Sequence, residues 1–413
     1  MRVREVVLTP VAFPDPPLLN ASGVHQPWTL RTIVQLDCGD GLVGLGETYG
    51  GARHLALLRR VAPTLIGLDP YDTNELWRRT RTALGERDGP GSADGAGVPA
   101  GEKTSLRVLS PFEVACLDLQ GQSCGRPVAE LLGGRVRDRV SYSAYLFHKW
   151  AGSDPYGEAL TPDGIVAQAQ AMVKTYGFRS IKLKGGVLPP DDEIEAIRAL
   201  RDSFPDHPLR LDPNQAWSVA TSLRVAAGTE GLLEYLEDPT PGIEGMAEVA
   251  RRAPMPLATN MVVVKPEDIP EGFGRRAVGV VLADHHYWGG LRRTAELAAI
   301  CRTFGVGVSM HSNSHLGISL AAMTHVGAAI PELTYAADTH TPWSCGVDVL
   351  AEPLTIEGGA VAVPDRPGLG VRLDPDALAR LHENYLSCGI RERDDTAYMR
   401  TFDPAYEKKR PRW

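Results

Sequence analysis

Seven short apolar segments of the chain each end in a polar residue, and these ends recur at a nearly constant spacing. They are Lys184, Asp212, Glu237, Asn260, Asp284, His311 and Asp338. Successive ends lie 23 to 28 residues apart, which is the length of a strand, a helix and the two loops of a βα unit. In a parallel barrel the C-terminal strand ends meet at one mouth, so these polar residues are expected to share a site.

The N-terminal part of the chain has a different pattern. The segments VREVVLTPVAF, TLRTIVQLDCG and LVGLGETYGG are rich in β-branched residues and contain an Asp40-Gly41 turn, which predicts a small antiparallel sheet. At 413 residues the chain is also longer than one hydrophobic core usually organises. We therefore predict an α+β domain in residues 1–135, an α/β barrel in residues 136–372, and a C-terminal segment, residues 373–413, that packs back on the first domain.

The overall charge argues against two classes of partner. The formal net charge is −8 and the isoelectric point is near 5.8, whereas nucleic acids and anionic membrane surfaces attract basic proteins. The sequence shows neither an apolar N-terminal signal segment nor an apolar run long enough to span a membrane. We expect a cytoplasmic protein that binds no nucleic acid and no membrane.

One segment contains few residues that could be buried. Residues Gly85 to Lys103, GERDGPGSADGAGVPAGEK, are rich in Gly, Pro, Ser and Asp, a composition that predicts a loop. Two interpretations remain open, a disordered insertion or a mobile lid over the barrel mouth.

A pair of lysines ends the first of the seven segments. Lys182 and Lys184 are two residues apart, so in a strand both side chains point to the same side. If both point inward, each ammonium group disfavours protonation of the other, which lowers at least one pKa and makes a lysine usable as a base. The alternative is a solvated pair on the barrel exterior. The Gly185-Gly186 pair that follows favours a strand end at the site.

Asp212, Glu237 and Asn260 place oxygen donors at three successive strand ends. Carboxylate and amide oxygens suit Mg²⁺, whereas zinc prefers nitrogen and sulfur. Each residue taken singly is also a common turn former, since Asp before Pro and Asn after Thr recur in turns. The recurrence at three consecutive ends favours a magnesium site.

His311 ends the segment that follows the one ending at Asp284. A carboxylate that accepts a hydrogen bond from one ring nitrogen fixes the tautomer and leaves the other nitrogen free for proton transfer. The pair predicts a second acid–base group, opposite the lysines in barrel order. Asn313, two positions further on, is expected to face the same site. Because histidines are more often structural than catalytic, the other histidines are given no acid–base role.

Several short motifs match a known enzyme family. They are IKLKGGV, LDPNQAWS, EDP, ATNM, LADHHYW, HSNSHLGISLAAMTHV and DTHTPW. In order and in the residues at the strand ends, they resemble the mandelate racemase subgroup of the enolase superfamily and, within it, the glucarate dehydratases. The resemblance implies an α/β fold, a modified (β/α)7β TIM-type barrel with an α+β capping domain. Sites of this superfamily pair a lysine or histidine base with Mg²⁺.

The resemblance also implies a role for each candidate residue. Lys184 would be one base, and Lys182 would contact the substrate carboxylate. Asp284 and His311 would form the opposing acid–base pair, and Asn214 would contact the substrate. The residues that would bind Mg²⁺ are Asp212, Glu237 and Asn260. The further substrate contacts implied by the resemblance are Asn20, His25, Thr104 or Ser105, Tyr145, Asn313, His340 and Arg393.

The implied reaction is the Mg²⁺-dependent dehydration of an acid sugar, in which the proton α to a carboxylate is removed and the β-hydroxyl leaves as water. D-Glucarate and its epimer L-idarate are the expected substrates, with 5-keto-4-deoxyglucarate as the product. Dehydration of another aldarate or aldonate, or epimerisation or racemisation, would use the same site. A catalytically silent acid-sugar-binding protein and a metallohydrolase are alternatives of other classes. We expect a homo-oligomer whose ligand is a dicarboxylate sugar acid.

Overall fold

The structure, a computed structural model, describes residues 1–86 and 102–413. Most of the predicted loop over residues 85–103 lies outside the described residues, so neither interpretation of it is tested. At its edges, Gly85 has a left-handed backbone (φ 84°) that ends a helix, and Lys103 belongs to the helix that begins at Glu102. The loop predicted from composition therefore extends too far at its C-terminal edge.

Five strands occur in residues 1–86, namely β1 (Glu5–Pro14), β2 (Leu19–Asn20), β3 (Gly23–Val24), β4 (Trp28–Gly39) and β5 (Leu42–Tyr49). Three of them form an antiparallel sheet in the order β1-β4-β5, and β2 pairs with β3. The predicted Asp40-Gly41 turn joins β4 to β5. Both of its residues have positive φ (56° and 80°), as the tightest hairpin turns require. The small antiparallel sheet predicted for this region is present.

The helices that follow are α1 (Ala52–Val61), a 3₁₀ helix (Ala62–Leu65), α2 (Thr73–Leu84), α3 (Glu102–Cys124) and α4 (Val128–Leu131). Helix α3 lies directly on β5 because Gly44 and Gly46 have no side chains. A Cβ atom at Gly46 would lie 2.1 Å from the carbonyl oxygen of Pro111. Buried residues such as Leu36 and Phe112 fill the space between the sheet and the helices. This capping domain therefore has a hydrophobic core of its own.

Within residues 102–413, eight parallel strands form a barrel. They are β6 (Arg139–Phe147), β7 (Ile181–Lys184), β8 (Leu209–Asp212), β9 (Leu233–Glu237), β10 (Leu257–Thr259), β11 (Val280–Ala283), β12 (Gly307–Met310) and β13 (Ala337–Asp338). From β6 to β12 each strand pairs with the next, and β13 pairs with β6. A parallel bridge from Val308 to Leu333, just before β13, completes the circle. The predicted (β/α)7β fold class is confirmed.

Helices connect the strands on the outside of the barrel. They are α5 (Pro162–Tyr176), α6 (Pro190–Ser203), α7 (Val219–Gly228), α8 (Gly242–Ala250), a 3₁₀ helix (Pro266–Asp268), α9 (Ile269–Gly274), α10 (His285–Trp288), α11 (Leu291–Phe304) and α12 (Gly317–Ala329). In α6 the periodic residues Ile194, Ile197 and Leu200 are buried, as an amphipathic helix requires. No helix in the described part of the chain combines the length and the apolar character needed to cross a bilayer.

After the barrel come a 3₁₀ helix (Thr341–Ser344), strands β14 (Ile356–Glu357) and β15 (Ala360–Ala362), and helices α13 (Pro375–Ser387) and α14 (Asp395–Met399). Helix α13 packs on β1, where His382 Nδ1 lies 2.7 Å from the carbonyl oxygen of Pro10. The backbone N–H of Trp413 donates to the carbonyl of Ala216 in the barrel (3.1 Å). The C-terminal segment thus contacts the barrel as well as the capping domain, while the exact domain limits stay predictions.

Glu113 joins the two domains through a buried carboxylate. Its side chain, on α3, accepts hydrogen bonds from the backbone N–H groups of Leu291 and Arg292 at the start of α11 (2.8 and 3.1 Å). Burial raises the pKa of Glu113 to about 7, although these N–H groups oppose the rise. Between the ordinary value of 4.5 and 7, the folded chain retains a proton that the unfolded chain has lost. Stability therefore falls as the pH rises through this window.

We expect a Glu113→Gln variant to lose this part of the pH dependence. Between pH 4.5 and pH 7, the free energy of unfolding of the parent should fall by about 3 kcal/mol more than that of the variant. Urea unfolding of both proteins across this pH range measures the difference. If the free energy of unfolding had the same pH dependence in the parent and the variant, Glu113 would already be ionised at pH 4.5.

Candidate active site

A cavity of about 820 Å³ opens at the C-terminal ends of the barrel strands, beneath the capping domain. The predicted site residues of the barrel that line it are Tyr145, Lys184, Asn214, Asn260, His311, Asn313 and His340. Those from the capping domain and the C-terminal segment are Asn20, His25, Thr104 and Arg393. The structure therefore brings most of the predicted residues together around one cavity.

Both lysines of β7 are buried, which excludes a solvated pair on the barrel exterior. Lys184 lines the cavity, and its Nζ lies 2.6 Å from Oδ2 of Asp212 on the neighbouring strand. Lys182 lies deeper, with its Nζ 2.6 Å from Oε2 of Glu237 and 2.7 Å from Oδ2 of Asp338. Asp338 ends the last of the seven apolar segments, although the sequence pattern alone assigns it no role. Each ammonium group is therefore paired with carboxylates.

The lysine pair does not lower the pKa of Lys182. Burial disfavours its charged form, but Asp338 and Glu237 outweigh this effect and raise the pKa of Lys182 well above its ordinary value. The lowering expected from the lysine pair therefore does not occur at this residue. Lys182 is fully buried beside Asp212 and Glu237, and the substrate contact that the resemblance implies for it stays a prediction. Lys184 is the lysine that faces the cavity.

The three predicted metal ligands lie at the ends of the adjacent strands β8, β9 and β10. Oδ1 of Asn260 and Oε1 of Glu237 are buried, and neither has a hydrogen-bond partner among the described residues. Burial and the nearby Asp212 carboxylate raise the pKa of Glu237 well above its ordinary value, a penalty that a bound cation removes. Two carboxylates and an amide oxygen at one place, with Oε1 of Glu237 and Oδ1 of Asn260 lacking a donor in the described part of the chain, fit Mg²⁺ better than zinc.

The loops after β8 and β9 hold these ligands in place. Oδ1 of Asp212 accepts a hydrogen bond from the backbone N–H of Asn214 (3.0 Å). Asp238 accepts from the hydroxyl of Thr259 (2.6 Å) and from the backbone N–H of Asn260 (2.8 Å). Asn214 has a positive φ of 56°, which asparagine adopts more readily than most residues. The ligand loops are therefore ordered by bonds between neighbouring strand ends.

Asp284 and His311 form a hydrogen-bonded pair at the ends of β11 and β12. Nδ1 of His311 lies 3.0 Å from Oδ2 of Asp284, and its ring stacks on that of Tyr287 with centroids 5.8 Å apart. Burial alone would raise the pKa of Asp284, but His286 and His311 lower it well below its ordinary value. An ionised Asp284 accepts the Nδ1–H of His311, which leaves Nε2 of His311 free for proton transfer.

A second cluster of potential ligands is not a metal centre. Ligand atoms of Asp284, His285 and His286 lie within 4.8 Å of one another. Both oxygens of Asp284, however, accept hydrogen bonds from imidazole groups, and Nε2 of His286 faces the guanidinium group of Arg31. Atoms engaged in this way are not available to a cation.

Several of the more distant residues are paired with carboxylates of the chain itself. Nε of Arg393 donates to both oxygens of Asp395 (3.0 and 3.1 Å), and Asn20 donates to Oδ2 of Asp395 (3.0 Å). Nδ1 of His25 lies 3.1 Å from Oδ2 of Asp15. These contacts hold the side chains at the cavity wall and neutralise the charge of Arg393.

Thr104 and Ser105 point in different directions because consecutive helical residues are about 100° apart. Thr104 lines the cavity, whereas Ser105 is fully buried and donates to Glu86. Of these two alternatives, the structure places Thr104 at the site and Ser105 away from it.

Tyr145 and His340 pack against each other, with ring centroids 4.9 Å apart. The hydroxyl of Tyr145 donates to Oδ2 of Asp212 (3.1 Å), and Nδ1 of His340 lies 3.1 Å from the hydroxyl oxygen of Ser312. Both rings therefore form a fixed part of the cavity wall next to the ligand Asp212.

Arg107 of α3 lines the site, although no motif in the sequence singles it out. Its guanidinium carbon lies 4.7 Å from the ring centroid of Tyr49 and 5.2 Å from that of Tyr287, while Asn313 donates to both tyrosine hydroxyls (2.7 and 3.0 Å). Arg107 lines the cavity and has no ion pair within the described ranges. The signal in the sequence is its spacing of four from Lys103, which places two cations on one helix face.

The sequence matches two family profiles. Residues 3–133 match the mandelate racemase / muconate lactonizing enzyme, N-terminal domain, and residues 164–377 match the enolase C-terminal domain-like family. A probable glucarate dehydratase from Streptomyces coelicolor is 54% identical, over 100% of this chain and 99% of that protein. Both domains therefore have relatives in one superfamily.

Two solved structures share the fold over the whole chain. An enolase from Thermobispora bispora, complexed with magnesium and formate, is 60% identical with a TM-score of 0.95 and 100% coverage of both chains. An enolase from Mycobacterium smegmatis, complexed with tartrate, is 58% identical with a TM-score of 0.95, over 100% of this chain and 98% of that one. The chain is therefore an enzyme of the enolase superfamily and belongs to its mandelate racemase subgroup.

Proposed function

We propose that this enzyme is a Mg²⁺-dependent acid-sugar dehydratase that converts D-glucarate, and its epimer L-idarate, to 5-keto-4-deoxyglucarate. One observation carries the proposal: Lys184 and His311, two groups able to transfer protons, line the same cavity. In barrel order, the strand ends that bear the oxygen ligands lie between them. The similarity to a probable glucarate dehydratase supports the choice of substrate.

Hydrogens α to a carboxylate are weakly acidic, so their removal requires stabilisation of the charge that develops on the carboxylate oxygens. When bound by Asp212, Glu237 and Asn260, Mg²⁺ would supply the positive charge for this purpose. The magnesium complex of the Thermobispora bispora relative supports this assignment.

Lys184 and His311 divide the proton transfers. Whichever of them faces the α hydrogen takes this proton as the C–H bond breaks. Protonated His311 donates a proton to the β-hydroxyl, the C–O bond breaks, and water leaves as a C=C bond forms between the α and β carbons. The resulting enol gains a proton on the β carbon and becomes the keto acid. Two epimers give one product because this reaction removes the stereocentre at which they differ.

The cavity also carries cations for a second carboxylate. Lys103 and Arg107 both line it, and both lie within 6 Å of the ring of Tyr287, at 5.7 and 5.2 Å. Because the guanidinium group of Arg107 lies over tyrosine rings and has no ion pair among the described residues, its N–H groups are available for a planar carboxylate. The tartrate complex of the Mycobacterium smegmatis relative, which contains a hydroxylated dicarboxylate, supports a diacid substrate.

The test is the formation of a keto acid across a panel of acid sugars. We expect turnover of D-glucarate and L-idarate, and poorer turnover of aldonates, which lack the second carboxylate. Removal of divalent cations with EDTA should lower the rate at least about 100-fold, and Mg²⁺ should restore it where Zn²⁺ does not.

Each alternative has its own outcome in the same experiment. Solvent deuterium at the α carbon without keto acid would establish an epimerase or racemase. Binding of D-glucarate without either reaction would establish a silent binding protein. Preferential binding of Zn²⁺ over Mg²⁺, with no keto acid formed in the presence of either metal, would point to a metallohydrolase.

We expect an Arg107→Met variant to bind diacids more weakly. Loss of a charge-assisted hydrogen bond worth about 1.5–3 kcal/mol should raise KM for D-glucarate about 10- to 100-fold, with a smaller effect on kcat. Steady-state kinetics measure both constants, and Arg251→Met, at an exposed position after α8, is the matched control. An unchanged KM would show that the second carboxylate binds elsewhere in the cavity.

A further inference from the structure

A chain of hydrogen bonds runs from the sheet of the capping domain to His311. Nε of Arg31, on β4, lies 2.8 Å from Oε1 of Glu47, on β5, and its Nη2 lies 3.0 Å from Nε2 of His286. Nδ1 of His286 lies 2.8 Å from Oδ1 of Asp284. The other oxygen of Asp284 accepts from His311. All five side chains are buried.

The chemistry of arginine determines the protonation state of His286. A guanidinium group can only donate hydrogen bonds, so Nε2 of His286 is the acceptor in its contact with Arg31. The hydroxyl of Ser319, 3.0 Å from the same nitrogen, can donate to it as well. The proton of the neutral imidazole is then on Nδ1, where it is donated to Asp284.

We propose that Arg31 and His286 are positioning residues that keep the charge of Asp284 available to His311, an inference that rests on the acid–base role proposed for His311. The N–H of Arg31 that donates to Nε2 of His286 occupies the lone pair that a second proton would need. A neutral His286 orients Asp284 without neutralising it, so the carboxylate stabilises the protonated form of His311. Without Arg31, this lone pair would be open to a proton, and an imidazolium group at His286 would compete with His311 for the same carboxylate.

The same ion pair ties the capping domain to the segment that carries His311. Glu47, which holds Arg31, also accepts hydrogen bonds from the backbone N–H groups of Leu316 and Ser319 (both 2.8 Å). These residues lie at the start of α12, directly after the loop that contains His311. The sheet of the capping domain therefore positions both the reactive imidazole and the carboxylate behind it.

Other titratable groups surround the imidazoles of His286 and His311, and substitutions at Arg31 or His286 leave them unchanged. Those near His286 are Tyr49, His54, His285 and His315. Those near His311 are Asp212, Tyr287 and His340. A difference between parent and variant therefore reports the change at Arg31 or His286.

The titration midpoint of His311 tests the inference without any substrate. Diethyl pyrocarbonate modifies neutral imidazole, so the rate at which His311 is modified, followed by peptide mass spectrometry from about pH 5 to about pH 8, gives this midpoint. In Arg31→Met we expect it to move down by about one pH unit. Because this change leaves the Glu47 carboxylate buried without its cation, the double variant with Glu47→Gln is measured alongside.

Two further variants should retain the midpoint of the parent. Arg31→Lys keeps the cation, and His286→Gln keeps a neutral donor and acceptor that cannot become charged. The inference would be overturned if the titration midpoint of His311 were unchanged both in Arg31→Met and in the double variant with Glu47→Gln. It would also be overturned if His286→Gln shifted this midpoint as much as Arg31→Met does.

Keto acid formation is a separate measurement. Its absence in the parent would contradict the proposed function and would leave the midpoint of His311 readable. In an active parent, the pH profile of kcat/KM should shift in Arg31→Met by the same amount as the midpoint. A merely structural defect would lower kcat/KM equally at every pH.

Discussion

A Lys184→Met variant should lose keto acid formation by about 10⁴-fold with whichever of D-glucarate and L-idarate presents its α hydrogen to Lys184, the upper end of the contribution of a positioned acid–base group. Lys184 is the lysine of the pair that lines the cavity, and it contacts the metal-ligand candidate Asp212 through its Nζ (2.6 Å). Methionine fills a similar volume but can neither hold nor move a proton. The value of kcat/KM in a coupled assay of keto acid formation measures the loss.

The matched control is Lys174→Met, at an exposed position of α5. It makes the same chemical change outside the cavity and should keep the activity of the parent. If Lys184→Met were as active as the parent, Lys184 would have no part in the proton transfers. Urea unfolding of both variants separates loss of chemistry from loss of fold.

The strand ends were predictable because they depend on local sequence. A short apolar run that ends in Asp212 or His311 predicts a buried strand whose last residue is at the barrel mouth, and the constant spacing gives the barrel. The sequence pattern does not say which of these side chains reach the cavity, and this depends on how deeply each one is buried. Lys182 and Lys184 follow the same rule of alternation, yet only Lys184 reaches the cavity because carboxylates hold Lys182 below it.

Contacts between distant parts of the chain could not be predicted in this way. Arg31 and His286 are 255 residues apart, and no spacing rule connects a strand of the capping sheet to a residue after β11. Asn20 and Asp395, whose side chains are joined by a hydrogen bond at the cavity wall, are 375 residues apart. Residues that lie in the site only through such packing, including Arg107, have weak signals in the sequence.

A His311→Asn variant should separate removal of the α hydrogen from loss of water. Asparagine cannot donate the proton that the departing β-hydroxyl needs, so keto acid formation should fall about 10³-fold. Lys184 still lines the cavity in this variant, and it should continue to remove the α hydrogen that faces it. Proton NMR in deuterium oxide measures exchange of this hydrogen with solvent, independently of the keto acid assay.

The two epimers make this result specific to the geometry of the site. D-Glucarate and L-idarate differ at the reacting carbon, so Lys184 faces the α hydrogen in one of them and His311 faces it in the other. In His311→Asn, exchange of the α hydrogen should therefore persist with one epimer and disappear with the other. The matched control is His207→Asn, at a position outside the cavity, which should leave exchange with both epimers unchanged. Exchange with both epimers, or with neither, would contradict an arrangement in which Lys184 and His311 lie on opposite faces of the substrate.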